Sequence, residues 1–112
     1  MDLWVGIYGA TQDWPRREWY GLAAQIRDAA NSAGSNLAEG AAKYGLREMR
    51  RHTNIAIGSL AEVAHQLMAA QRVGILPVDR FEELAALQRN AARLTWLLLG
   101  GIRRRLKEDA KP

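Results

Sequence analysis

The stretch LREMRRHTNIAIGSLAEVAHQLMAA, residues 46–70, decides the fold because its apolar residues recur at alternating steps of three and four. The row consists of Leu46, Met49, Thr53, Ala56, Leu60, Val63, Leu67 and Ala70. This alternation is typical of a helix that packs along one side in a bundle. A second apolar row lies beside the first and consists of Ile57, Ala61, Ala64 and Met68. A helix that is apolar over this width is expected to contact more than one neighbour.

The preceding segment predicts a second helix that begins just after Pro15 and ends at Gly40. Proline is favoured at the first position of a helix, and glycine is favoured just past the end. The residues expected to face the neighbouring helices form a row that we call the seam, and their side chains become smaller along the helix. They are Trp19, Leu22, Ile26, Ala29 and Ala33. Gly34 follows this seam directly, and we expect a bend or a loosened turn there.

Two further helices complete the pattern. Residues 2–12 form a short stripe with Leu3, Ile7 and Ala10, and the chain then reaches Trp14 and Pro15. The last helix is expected to open at Asp79 as its N-cap, with a seam and a wider apolar flank. The seam members are Leu84, Leu87, Ala91, Leu94 and Leu98, and the flank members are Phe81, Leu99, Ile102 and Leu106. Short connections imply antiparallel neighbours, so residues 1–112 are predicted to form one all-α, up-down-up-down four-helix bundle.

Composition narrows the function classes. The 112 residues include no cysteine, so disulfides, thiolate metal sites and cysteine nucleophiles are excluded. No apolar run is long enough to cross a membrane, and the N-terminus lacks a signal-peptide pattern, so we expect a cytoplasmic protein without a membrane partner. Sixteen basic residues against twelve acidic ones give a formal charge of +4, which favours anionic partners such as nucleic acid.

A set of spaced residues also resembles a known family. The shared positions are Ile7-Tyr8, Thr11, Trp14-Pro15, Glu18, Tyr20-Gly21-Leu22, Gln25-Ile26-Arg27, Ala29-Ala30, Ser32, Ser35-Asn36-Leu37-Ala38-Glu39-Gly40, Glu48, Gly58-Ser59-Leu60, Glu62 and Gln66-Leu67. On these residues the chain resembles the small four helix bundle proteins, also called the 23S ribosomal RNA intervening-sequence proteins. Three features depart from the family pattern. The first helix usually starts further upstream, Asp28 stands at a usually basic position, and Ala33-Gly34 replaces an aliphatic-Pro pair.

The resemblance implies a protein that is not an enzyme, forms a homo-oligomer (most often a pentamer) and binds nucleic acid. It also implies kinship with the accessory variability determinant of diversity-generating retroelements, in which a basic pentameric bundle accompanies a reverse transcriptase and RNA. Asp28 weakens the expectation of a basic strip on the second helix, since it puts a negative charge there.

Two basic groups are the candidate nucleic-acid-binding residues. The first is Lys43, Arg47, Arg50 and Arg51, whose spacing places them on one helical face, and the second is Arg103, Arg104, Arg105 and Lys107. Exposed arginine and lysine suffice for phosphate contacts. The alternatives are a solvated face with Glu48 and His52 as local partners for the first group, and stabilisation of the negative helix end for the second.

The remaining polar and aromatic candidates are interpreted structurally. Four polar residues near the seams, Asn36, Glu39, Ser59 and Glu62, are expected to hydrogen-bond between helices 2 and 3 and fix their register. Glu62-x-x-His65 matches half of a di-iron motif, but without a second copy we expect no metal, and no cofactor or catalytic group is indicated. Base stacking is one role for Trp4, Trp14, Trp19 and Trp96, and packing in the core or a subunit interface is the favoured one.

The sequence therefore predicts a non-enzymatic oligomeric bundle that binds RNA or DNA through basic helix faces. The alternative is a protein-interaction scaffold, such as an accessory subunit of a reverse transcriptase. A steep loss of nucleic-acid affinity with added salt would distinguish the first from the second.

Overall fold

The computed structural model describes residues 2–42 and 45–111, and within them it contains four α-helices and no strand. The helices are α1 (Asp2–Thr11), α2 (Leu22–Ala42), α3 (Leu46–Arg72) and α4 (Val78–Asp109), and a single turn of 3-10 helix, Arg16–Glu18, precedes α2. The all-α prediction is confirmed. In the described part of the chain, no helix combines the length and the apolar character that crossing a membrane requires.

The four helices pack in a ring in chain order. Helix α1 contacts α2 and α4, α2 contacts α3, and α3 contacts α4. Between the diagonal pairs, α1 with α3 and α2 with α4, no two Cα atoms of described residues lie within 8 Å of each other. Successive helices joined by short connections run antiparallel, so the predicted four-helix bundle is confirmed. Helix α1 is only ~15 Å long against ~48 Å for α4, at 1.5 Å per residue, so one corner of the bundle is filled over part of its length.

The core follows the row that the sequence predicted on α3. Ala56, Leu60, Val63, Leu67 and Ala70 are all buried. They pack against Ile7 of α1, Ile26 of α2 and Leu84 of α4, among others. The second apolar row is different: Ala61 and Met68 are exposed, and Ile57 and Ala64 are half-buried. The broad contact surface predicted for α3 is therefore narrower than its composition indicates.

Helix α2 begins seven residues after Pro15, which corrects the predicted start. The chain after Pro15 forms the 3-10 turn, and the indole N–H of Trp19 donates a hydrogen bond to the carbonyl of Trp14 (3.0 Å). Trp19 is thus 43% exposed and is not part of the seam. Local hydrogen bonding of the Trp14–Trp19 loop replaces the helical turn that proline alone would favour.

Neither glycine in α2 has the role that the sequence indicated. The helix runs unbroken through Gly34 and Gly40 to Ala42. Gly40 is buried against α3, where an added Cβ would lie 3.0 Å from the Cβ of His52 and 3.6 Å from the backbone of Met49. A close helix crossing therefore explains this glycine, and the positive φ of 99° occurs instead at Gly45, the N-cap of α3.

Helix α4 starts at Val78, one residue before the predicted N-cap, and its second half is rotated relative to the predicted seam. Leu94 and Leu98 are exposed, and Gln88, Thr95 and Leu99 are buried instead. The buried polar groups are satisfied, as interior polar groups must be. The Gln88 amide donates to the carbonyl of Leu60 (2.9 Å), and the Thr95 hydroxyl donates to the carbonyl of Ala91 (2.7 Å).

Candidate nucleic-acid interface

The antiparallel pairing of α3 and α4 brings both predicted basic groups to the same end of the bundle. The first turns of α3 carry Arg47, Arg50 and Arg51, and the last turns of α4 carry Arg103, Arg104, Arg105 and Lys107. We call residues 45–51 and 102–111 the basic end. Lys43, the remaining member of the predicted set, lies outside the described residues.

Four of these cations line one cleft. Arg47 and Arg50 of α3 face Arg103 and Lys107 of α4 across a depression of about 530 Å³. Leu106 and Ala110 also line it. Because two helices contribute two cations each, the cleft presents a cluster of charge that neither sequence group contains alone.

The other two α4 cations lie on a different side of the helix. Arg104 and Arg105 line a second cleft together with the apolar residues Leu97, Leu98 and Met49. Glu108 also lines this cleft, so the positive charge there is partly balanced. The row Arg103, Arg104, Arg105 is therefore divided between two surfaces by the helical rotation of about 100° per residue.

Arg51 has a different environment from the other arginines. Its guanidinium lies 3.2 Å from the carboxylate of Glu48 and donates to Nε2 of His52 (3.2 Å). The interpretation of Glu48 and His52 as local partners therefore holds for Arg51. The six other described cations, Arg47, Arg50, Arg103, Arg104, Arg105 and Lys107, form no ion pair with another described residue.

The two ends of the bundle differ in charge. The basic end contains eight basic side chains and three acidic ones, Glu48, Glu108 and Asp109. The opposite end, residues 12–21 and 72–83, contains four basic and five acidic side chains. The positive excess of the chain is thus concentrated where α3 begins and α4 ends, an arrangement that attracts anions toward one end.

A hydrogen-bond chain holds α2 against α3 next to this end. His52 is buried, and because Arg51 can only donate, Nε2 accepts and Nδ1 carries the proton. Nδ1 then donates to Oδ1 of Asn36 (2.9 Å), and the Asn36 amide donates to the carbonyl of Ser32 (2.9 Å). The hydroxyl of Ser59 donates to that of Ser32 (3.0 Å). Interhelical hydrogen bonding is therefore confirmed for Asn36 and Ser59.

The two carboxylates of the predicted register set have lesser roles. Glu39 is exposed, and its carboxylate lies 3.7 Å from Nδ1 of His52. Glu62 is also exposed and forms no hydrogen bond or ion pair with another described residue. His52 is the central residue of this contact, and sequence reasoning missed it because the neighbouring arginines indicated a solvated face.

The structure also bears on the hypotheses for Glu62 and His65 and for the four tryptophans. Within residues 2–42 and 45–111, no three metal-ligating side chains come together around Glu62 and His65 or elsewhere. Trp14 is buried and Trp4 is half-buried, which agrees with a packing role. Trp19 is exposed at the end opposite the basic end, and Trp96 is exposed on α4 between the two ends.

Comparison with known proteins identifies a family. A family model described as 23S rRNA-intervening sequence protein matches residues 1–96. The matched segment covers α1, α2, α3 and more than half of α4. A search of curated proteins gives no significant match. The arginines and lysine at the end of α4 lie beyond the matched segment, whereas those of α3 lie within it.

Proposed function

The chain belongs to the 23S rRNA-intervening sequence protein family, and within that family we propose that it is a non-catalytic protein that binds nucleic acid, RNA or DNA, through the basic end. We place it in the cytoplasm. The phosphate contacts are assigned to Arg47, Arg50, Arg103 and Lys107 in the shared cleft, with Arg104 and Arg105 beside it. Arg51 acts by positioning His52, and Lys43 remains a candidate from the sequence.

The observation that supports this proposal is the concentration of unpaired cations at one end. Each cation that neutralises a phosphate releases condensed counterions, and this release supplies most of the affinity of non-specific binding. The six arginine and lysine side chains have no intramolecular carboxylate partner among the described residues. No internal ion pair has to be broken before they contact phosphates.

A titration with structured RNA at two salt concentrations tests the proposal. If six cations contact phosphates, the affinity should fall by roughly 10³ between 50 and 200 mM salt. Fluorescence anisotropy of a labelled RNA hairpin measures this directly. An affinity that is the same at both salt concentrations, or no binding at the lower one, would contradict phosphate recognition.

We further propose that copies of the chain form a homo-oligomer, with five subunits as the expected number. Leu94, Leu97 and Leu98, which we call the leucine edge, are all exposed on α4. Clustered apolar side chains on a small bundle favour association. The leucine edge lies near the uncovered corner of the bundle, because α1 reaches only part of the way along α4. A second copy can cover the apolar surface that α1 leaves open.

Placing charge on the leucine edge should dissociate the oligomer. The double substitution Leu94→Glu with Leu98→Glu buries two carboxylates at the proposed contact, which is strongly unfavourable for unpaired charges. We expect light scattering to give the monomer mass of 12.5 kDa for this variant and a multiple of it for the native protein. The control is Val73→Glu with Val78→Glu, since both valines are exposed at the opposite end. A native protein that is already monomeric at micromolar concentration would overturn the oligomer.

The same leucine edge supports the second candidate function, a protein-interaction scaffold. In that case a different protein, such as a reverse transcriptase, covers Leu94, Leu97 and Leu98. This function would be favoured if the native protein were monomeric and its RNA affinity did not change with salt. Phosphate contacts are screened by ions, whereas burial of the leucine edge against a protein is not.

A further inference from the structure

A second row of cations runs along α4 with a tryptophan in the middle. Residues 89, 93, 96, 100, 103 and 107 are separated by steps of four and three, so they lie in one line on the helix surface. In order they are Arg89, Arg93, Trp96, Gly100, Arg103 and Lys107, and we call this row the Trp96 stripe. All except Gly100 are exposed, and Gly100 is half-buried. The stripe ends in the cleft that Arg103 and Lys107 share with α3.

The indole of Trp96 is open to a ligand. The side chain is 52% exposed, and it makes no ring–ring or cation–π contact with another described residue. Its neighbours one turn away along the helix, Ala92 and Gly100, are too small to cover the ring. A flat aromatic ligand can therefore lie against the indole, with the Arg104 guanidinium beside it, 3.6 Å from where a Cβ on Gly100 would be.

The surroundings of the stripe contain no carboxylate. Residues 84–107 include six basic residues and no aspartate or glutamate. On the adjoining helix, residues 49–61 also lack acidic side chains. A row of cations about 27 Å long, at 1.5 Å per helical residue, thus runs from Arg89 to Lys107 without an internal counter-charge.

Arginines alternating with an exposed aromatic ring point to one class of ligand. Proteins that bind single-stranded nucleic acid combine cations that follow the backbone with aromatic side chains on which bases stack. In a duplex the base faces are already stacked and cannot reach a ring on a convex helix. We propose that the Trp96 stripe binds single-stranded nucleic acid, with a base stacked on Trp96 and phosphates on the flanking arginines and Lys107. This inference rests on the proposed function and names its substrate class.

Trp96 is separated from the surface assigned to subunit contact. Leu94 and Leu98 are each two residues from Trp96, which rotates them by about 200° around the helix axis, and Leu97, the next residue, is rotated by about 100°. Leu98 lines the cleft with Arg104 and Arg105, whereas Arg103 lines the cleft with Arg47 and Arg50. In addition, charged residues are depleted from the centres of protein interfaces, and Trp96 lies between Arg93 and Arg103. The stripe therefore fits a nucleic acid better than a second copy.

The test compares one RNA strand in two states. The probe is a labelled, unstructured single-stranded RNA of about 20 nucleotides, used alone and annealed to its complement, a length greater than the roughly 4–16 nucleotides that such sites cover. Trp96→Ala should weaken single-strand binding by roughly 5- to 150-fold, the range for loss of one stacked base, and should change duplex binding less than about twofold. Trp96→Phe should restore most of the single-strand affinity, because a ring is kept.

Trp19→Ala is the control, because Trp19 is similarly exposed but lies at the opposite end, where Arg16 stands over its ring (5.4 Å). It should leave binding of both probes unchanged. Equal loss of single-strand and duplex binding in Trp96→Ala, no loss of either, or loss of the oligomer by light scattering would each overturn the stacking inference. If the native protein binds both probes and Trp96→Ala has no effect, only this inference fails. If the native protein binds neither, the proposed function fails with it.

Discussion

Replacing Arg47, Arg50, Arg103 and Lys107 together by glutamine should lower the salt dependence of RNA binding by about two thirds, because two of the six proposed phosphate contacts remain. The four side chains line one cleft and have no carboxylate partner among the described residues. Each lost phosphate contact lowers the slope of log affinity against log salt by up to about 0.9. For four contacts, the fall in affinity between 50 and 200 mM salt becomes about a hundredfold smaller. Titrations of the native protein and the variant with the same labelled RNA measure the difference.

The opposite end supplies a control with the same change in net charge. Arg16, Arg17, Arg72 and Arg80 are its four basic residues, and their replacement by glutamine also removes four positive charges. Glutamine keeps the helix propensity of arginine, so neither variant should unfold. If binding depended on overall charge rather than on the basic end, the two variants would lose affinity equally, and the assignment of the site would be wrong.

Leu99→Ala should destabilise the protein by about 2–5 kcal/mol, the usual cost of truncating a buried leucine. Leu99 is 0% exposed and lies on the face of α4 that also buries Thr95 and Ile102. The loss combines apolar area returned to water with a cavity that the neighbouring helices fill only in part. Chemical denaturation followed by circular dichroism measures the free energy of unfolding.

The adjacent residue provides the control for this substitution. Leu98 is 42% exposed, so Leu98→Ala should change the free energy of unfolding by less than about 0.5 kcal/mol, as at other surface positions. Both variants are compared at a concentration where light scattering shows both to be monomers, because Leu98 belongs to the proposed subunit contact. The seam predicted from the sequence gives the reverse ranking, with Leu98 costly and Leu99 mild, and that result would contradict the register of α4.

The fold was predictable on α3 and less so on α4, for a physical reason. On α3 the buried positions are apolar or small except for His52, so the apolar period and the packing period largely coincide. On α4 the core includes Gln88 and Thr95, which are polar but hydrogen-bonded to backbone carbonyls. Because Leu97, Leu98 and Leu99 are all apolar, the sequence does not indicate which of them faces the core. The apolar pattern therefore predicted Leu94 and Leu98 as core residues, whereas the structure buries their neighbours Thr95 and Leu99.

The candidate site was predictable in its residues but not in its arrangement. Spacing alone placed Arg47 and Arg50 on one face, and the run at 103–107 was evident from charge. That they share a cleft depends on the antiparallel packing of α3 and α4. Two assignments needed coordinates. Arg51 is held by Glu48 and His52, and Trp96 is exposed beside cations rather than packed in the core.

The most direct test of the central claim, that the basic end is the surface that contacts nucleic acid, is photo-crosslinking to RNA followed by peptide mapping. We expect crosslinks in peptides that contain Arg47, Arg50 and Arg103, which line the shared cleft, and in the peptide that contains Trp96, on the stripe that leads to it. Crosslinks confined to residues 12–21 and 72–83 at the opposite end, or none at low salt, would contradict it.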